Sequence, residues 1–140
     1  MKPDRRAKVP GTPAEWMSHA KSDLRLTQLA AGDEFVRSEQ VCFHAQQAAE
    51  KSIKALLLSQ AIEFPLTHDI EELLEIAENN GLVLPKDIAD VSHLTPYAVE
   101  TRYPGYWDEI SEDDVKEAVR LATITVEWAD EVLTRSGTRP

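Results

Sequence analysis

Cysteine is almost absent: Cys42 is the single one in 140 residues, so no internal disulfide can staple the chain. With no secretory leader in view, the expected compartment is the cytoplasm. No apolar run approaches the roughly 20 residues that a membrane helix needs, so no membrane partner is expected. Glycine is sparse and nowhere forms a phosphate-cradling loop or a dinucleotide fingerprint. Positive charge is also short: 15 Lys and Arg stand against 25 Asp and Glu, a formal net charge of −10. So acidic a chain is not a general polyanion coat, although one local basic site remains compatible with it. Strand patterns, internal repeats and low-complexity tracts are missing too. What remains is the composition of one globular domain, 42% hydrophobic and 29% charged. Its length suffices to bury about two-thirds of the unfolded surface.

The organising stretch is Val41 to Leu58, VCFHAQQAAEKSIKALLL, which contains no Gly or Pro and mostly strong helix formers. At roughly 100° per residue, Val41, Cys42, Ala45, Ala48, Ala49, Ser52, Ile53, Ala55 and Leu56 cover one broad face. His44, Gln47, Lys51 and Lys54 fall together within an arc of roughly 80°. Phe43, Leu57 and Leu58 lie away from the first face, so this helix is expected to be contacted on two sides.

Around it the chain divides into a flexible leader at 1–11, a helical body at 12–135 and a short tail at 136–140. Thr12-Pro13-Ala14-Glu15 is a helix start with a Thr cap, Pro at the first position and Glu three residues on. That helix carries Trp16, Met17, Ala20, Leu24 and Thr27 inward, with Trp16 as a core anchor, and ends near Gly32. Thr67 is placed as the cap of a third helix that has His68 in its first turn and stops at Asn80-Gly81. A fourth begins about Pro85 or Lys86 with Ile88, Val91 and Leu94 facing in, and Pro96 kinks or restarts it. Ser111-Glu112-Asp113-Asp114 caps the last helix, whose inward set runs from Val115 to Leu133 at helical spacing. The fold class is therefore all-α, an up-and-down bundle of four or five helices.

Two places carry chemistry. The row His44, Gln47, Lys51 and Lys54 reads either as a solvated face or as the polar wall of a cleft. The second place is the segment at 94–105, where Arg102 precedes a Pro-Gly stop. A helix C-terminus favours a cation there. Alternatively Arg102, with Tyr103, Tyr106 and Trp107 nearby, pairs a phosphate while a base stacks on a ring. The acidic run around Asp108–Asp114 suits a helix N-terminus better than a metal. His19, His68 and His93 have no ligand spacing, so neither a metal nor a cofactor is expected. Cys42 lies on the apolar face and reads as an inert core thiol.

Three blocks together, CFHAQQAAEKSIKALLL at 42–58, THDIEELLEIA at 67–77 and LTPYAVETRYPG at 94–105, resemble the HEPN domain family. The resemblance is to its small prokaryotic members, often encoded beside a minimal nucleotidyltransferase. It implies a helical bundle, commonly a homodimer, that binds a nucleotide or RNA in a polar cleft. In several branches it implies a ribonuclease toxin neutralised by the nucleotidyltransferase. Arg102 with Tyr103-Pro104 matches the arginine-tyrosine-proline block, and His44, Gln47, Glu50, Lys51 and Lys54 match the second-helix pattern. The ribonuclease branches follow their Arg, after four to six residues, with a His; here those places hold Trp107, Asp108 and Glu109. Cleavage through a 2′-hydroxyl needs proton transfer near neutral pH, for which His is best suited. With that His missing, Arg102 and His44 are the catalytic candidates, and binding is favoured over catalysis. The resulting expectation is a cationic cleft of Arg102, Tyr103, His44, Gln47, Lys51 and Lys54. The alternatives are a metal-independent ribonuclease and a non-catalytic interaction protein docking through Phe43 or Leu58. Tyr103 or Tyr106 is the place where the partner enzyme would modify a tyrosine.

Overall fold

The structure, a computed structural model, describes residues 10–98 and 109–135. Among these residues there are four α-helices, α1 (Pro13–Ala30), α2 (Ser38–Ser59), α3 (Ile70–Asn79) and α4 (Glu112–Arg135), with two 3-10 segments, Lys86–Ile88 and Val91–Ala98, before α4. No strand occurs among the described residues. The all-helical expectation holds.

The starts of α1 and α4 are built the same way. Thr12 Oγ1 accepts from the Glu15 amide at 3.1 Å, and Glu15 Oε1 accepts from the Thr12 amide at 3.2 Å. At α4, Ser111 Oγ accepts from the Asp114 amide at 3.0 Å and Asp114 Oδ2 returns the contact at 2.9 Å. Each pair satisfies two backbone donors that a helix start leaves open. The short connection at 31–37 makes α1 and α2 adjacent in space, with the geometry of a helical hairpin.

Helix α2 is the centre. It packs against α1, α3, α4 and the Val91–Ala98 segment. Thirteen of its 22 residues are buried, which a one-faced surface helix would not show. The broad face from Val41 to Leu56 is buried throughout, and Leu57 on the other side is fully buried as well. Ile53, Leu56 and Leu57 are among the largest enclosed side chains, each worth about 1.5–3 kcal/mol of apolar burial. Phe43 and Leu58 are half-buried rather than outward-facing. From α4, Leu121, Thr125 and Trp128 join the core beside the expected residues. The Thr125 hydroxyl is kept from costing stability there by donating to the Leu121 carbonyl at 2.7 Å.

Three local expectations are corrected. Trp16 is not a core anchor: it is half-buried at the bundle edge. Its indole N–H donates to the Pro10 carbonyl at 2.8 Å. Helix α3 is capped by Asp69, which accepts from the Glu71 and Glu72 amides at 3.0 and 3.4 Å; Thr67 instead accepts from Asp69 N at 3.0 Å. A carboxylate also complements the positive end of the helix, so Asp69 outcompetes Thr67 and His68 falls before the helix. The fourth helix expected from Pro85 is a pair of 3-10 segments. Ile88, Val91 and Leu94 are indeed buried, but their strict spacing of three fits the 3-10 period, and Pro96 denies an α-helix its hydrogen bond.

Helices α2 and α3 end alike. Ile62 N donates to Leu57 O at 2.9 Å and Ala61 N to Leu58 O at 3.1 Å; Leu82 N and Gly81 N repeat the pattern onto Ala77 O and Glu78 O. Such an ending needs one residue in the left-handed region. Gly81 supplies it at φ 93°, whereas Ala61 does so at φ 55° despite its Cβ.

Candidate functional site

The polar side of α2 is met by two carboxylates, one from a neighbouring helix and one of its own. Asp23 on α1 reaches both His44 and Lys51. Its Oδ1 lies 3.1 Å from His44 Nδ1, and Lys51 Nζ donates to its Oδ2 at 2.7 Å. Glu50 is only 3% exposed and Lys54 only 6%. Lys54 Nζ donates to Glu50 Oε2 at 2.9 Å and Gln46 Nε2 donates to Glu50 Oε1 at 2.8 Å. His68 Nδ1 approaches both oxygens of Glu50, at 2.9 and 3.1 Å. Gln47 Nε2 donates to Gln46 Oε1 at 2.7 Å, which ties the fourth member of the row into the same network.

The two readings of the row therefore resolve into a third. Lys54 is not solvated; it is the buried partner of Glu50. His44 and Lys51 remain half-buried at the surface. Two acidic groups offset the two lysines, so the row is a hydrogen-bonded, charge-balanced strip rather than an uncompensated positive one. An ionised carboxylate can only accept, so His44 and His68 each offer Nδ1–H to it. Neither Nε2 has a hydrogen-bond partner among the described residues. A carboxylate that fixes Nδ1 and orients the ring is the arrangement from which imidazoles transfer protons.

Next to Lys51 the surface opens into a cleft of about 390 Å³ lined by Pro10, Gly11, Glu15, Trp16, His19 and Lys51. Lys54 Nζ lies 5.9 Å from the centroid of the Trp16 ring, close enough for a cation–π attraction. On the other side of His44, Leu26, Ala30, Val36 and Val41 line a smaller apolar notch of about 150 Å³. Arg102 and Tyr103, like Tyr106 and the places expected of a catalytic histidine at 107 and 108, lie outside the described residues.

Asp23, Gln46 and Trp16 join the cluster beyond the expected residues, and Glu50 gains partners that the sequence pattern does not assign. Two signals in the sequence point to them. Trp16, Ala20, Asp23 and Thr27 follow one helical stripe, so Asp23 is a carboxylate on the inward face of α1. Gln46, Glu50 and Lys54 are successive i, i+4 neighbours, the spacing at which helical side chains meet. His68 had no local signal at all.

Cys42 behaves as expected of a core thiol. It is fully buried, and that burial pushes its pKa up to about 12, with a hydrogen bond from Tyr97 opposing the shift. Tyr97 is likewise pushed up to about 12, first by burial and then by the neighbouring thiol. Among the described residues no three His, Cys, Asp or Glu side chains group to hold a metal ion. No described helix is long and apolar enough to cross a membrane.

The described residues form a small all-helical bundle built around one central helix. The HEPN domain matches residues 14–132, most of the chain, and the protein belongs to the HEPN domain family. Among solved structures it is similar to the crystal structure of ST0689, an archaeal HEPN homologue, with a TM-score of 0.70 and 27% identity. That alignment covers 89% of this chain and 99% of the archaeal one. No curated protein matches.

Proposed function

We propose that this HEPN protein binds a nucleotide or a segment of RNA on the polar face of α2, as one component of a HEPN/nucleotidyltransferase pair of the toxin–antitoxin kind. The observation that carries this reading is the position of Lys51. Its ammonium is held by Asp23 at 2.7 Å, yet it lines an open cleft beside an indole ring. Lysine has three N–H donors, so two remain for a phosphate oxygen after Asp23 is satisfied. Arg102 supplies the bidentate phosphate contact, Tyr103 a ring, and His44 and Gln47 hydrogen bonds; Lys54 acts from beneath through Glu50. A second copy of the chain, or the nucleotidyltransferase, finds apolar surface at Leu26, Leu29 and Phe35, which is 89% exposed.

Calorimetric titration of mononucleotides and short RNAs into wild type and Arg102→Ala tests the reading. Measurable binding to wild type, weakened at least tenfold in Arg102→Ala with the fold intact, is the expected result. Equal affinity removes Arg102 from the site.

One observation favours a second reading, a metal-independent ribonuclease: the Asp23–His44 pair leaves an imidazole Nε2 free for proton transfer at the protein surface. Incubation of purified protein with RNA from about pH 5 to about pH 9, bracketing the ordinary histidine pKa near ~6.5, decides it. Cleavage lost in His44→Ala supports it, and intact RNA at every pH retires it.

A further inference from the structure

We propose that the cleft between the first turns of α1 and the middle of α2 is a nucleotide subsite, with the base stacked on Trp16 and the phosphate held by Lys51. This rests on the nucleotide-binding reading above and adds a position and a recognition chemistry that the α2 row alone does not have.

Trp16 is a preorganised ring. Its N–H is consumed by the Pro10 carbonyl, and Gly11 lies so close that an added Cβ would sit 3.1 Å from Nε1 and 3.3 Å from Cδ1. Gly11 has φ +95°, a conformation that also excludes a side chain. The backbone before α1 therefore clamps one edge of an indole that is still half-exposed. Lys54 meets this ring from the core and does not line the cleft, so among the described residues ring surface on the open side remains for a ligand. A clamped aromatic loses little freedom on stacking, so less of the stacking energy is offset by ordering the ring.

Polar groups converge on the same space. His19 stands three residues after Trp16, on the same side of α1. Lys51 brings two spare donors from α2. Glu15 uses Oε1 for the Thr12 amide, and Oε2 has no hydrogen-bond partner among the described residues. An acceptor beside a stacking ring suits a base with an exocyclic amine, and the Lys51 ammonium from α2 suits the phosphate. Adenine, cytosine and guanine carry that amine; uracil does not.

Calorimetry with AMP and UMP on the full-length protein provides the test. Expected are binding of AMP, weaker binding of UMP, near-normal AMP affinity in Trp16→Phe, and a loss of about tenfold or more in Trp16→Leu, the scale of one stacked base. Lys51→Met weakens AMP while leaving adenosine unchanged. Glu15→Gln keeps the helix cap, since Gln serves in the capping box too, and it lowers the preference for AMP over UMP. If Trp16→Leu does not fold, the Lys51 and Glu15 variants carry the test. An RNA oligonucleotide ending in A competes with AMP if the natural ligand is a chain end and fails to compete if it is a free nucleotide; the Trp16 and Lys51 variants locate the base in the cleft in both cases. AMP binding unchanged in Trp16→Leu but lost in Arg102→Ala overturns this subsite and leaves the proposed function standing. No binding of AMP or RNA at all overturns both.

Discussion

Replacing Glu50 with alanine removes the acceptor on which three donors converge: Lys54 at 2.9 Å, Gln46 at 2.8 Å and His68 at 2.9 Å. His68 has a side chain 60% exposed and is rehydrated at little cost. Lys54 is not. Its side chain is 8% exposed, and an ammonium stranded there costs about 3–5 kcal/mol, the usual result of breaking a buried pair from one side. Gln46, fully buried, also loses a partner. That contribution of about 1–3 kcal/mol overlaps with the first, because the amide can turn toward the stranded ammonium. A loss of about 4 kcal/mol out of a domain's total of about 5–15 kcal/mol is large. At about 4 °C per kcal/mol for this size it lowers Tm by ~15 °C. Glu50→Leu with Lys54→Met removes both charges together and recovers most of the loss, since an apolar pair of similar volume often equals a buried ion pair. Urea unfolding of wild type, Glu50→Leu, Lys54→Met and the double variant gives the cycle, with Glu50→Ala measured beside it. Glu50→Ala costing under about 1 kcal/mol, or single losses that simply add, refutes a buried coupled pair and makes Glu50–Lys54 a surface contact.

Other consequences follow from the core and the helix ends. The Cys42 thiol is raised from 9.0 to about 12 and Tyr97 from 10.0 to about 12. The unfolded chain therefore releases these protons first, so their contribution is intact below about pH 9 and falls as pH rises toward 12. Unfolding midpoints measured across the alkaline range should decline less steeply in Cys42→Ala, and identical slopes would contradict the assignment. Ala61→Gly should stabilise by about 0.5–1 kcal/mol because φ 55° costs an alanine strain that glycine avoids. Gly81→Ala at the matching position should destabilise by about 1 kcal/mol or more; thermal unfolding of both variants checks the opposite signs.

Much of the fold was legible because it is encoded locally. The Thr12–Glu15 box, the Asn80-Gly81 stop and the broad apolar face of α2 need only neighbours three to eight residues apart. Where competing local signals are close, sequence alone does not decide between them. Asp69 rather than Thr67, two residues earlier, caps α3, and the triplet spacing of Ile88, Val91 and Leu94, which an α-helix tolerates, matches the 3-10 period. The site was less legible. A helical wheel places His44, Gln47, Lys51 and Lys54 on one side of α2, but Lys54 is enclosed with Glu50, and the charge at His44 and Lys51 depends on Asp23, 28 residues before Lys51. A helical wheel shows which residues share a side; it does not show what another helix presses against them. Arg102, the residue to which the family resemblance gives most weight, lies outside the described residues.

The central claim is that a nucleotide or RNA meets the protein on the polar side of α2. Backbone amide shift mapping during titration with a short single-stranded RNA tests it most directly. Perturbations concentrated at residues 44–54, with the first turns of α1, are the predicted result. Shifts confined to the Phe35 side of the molecule, or none at saturating RNA, contradict it.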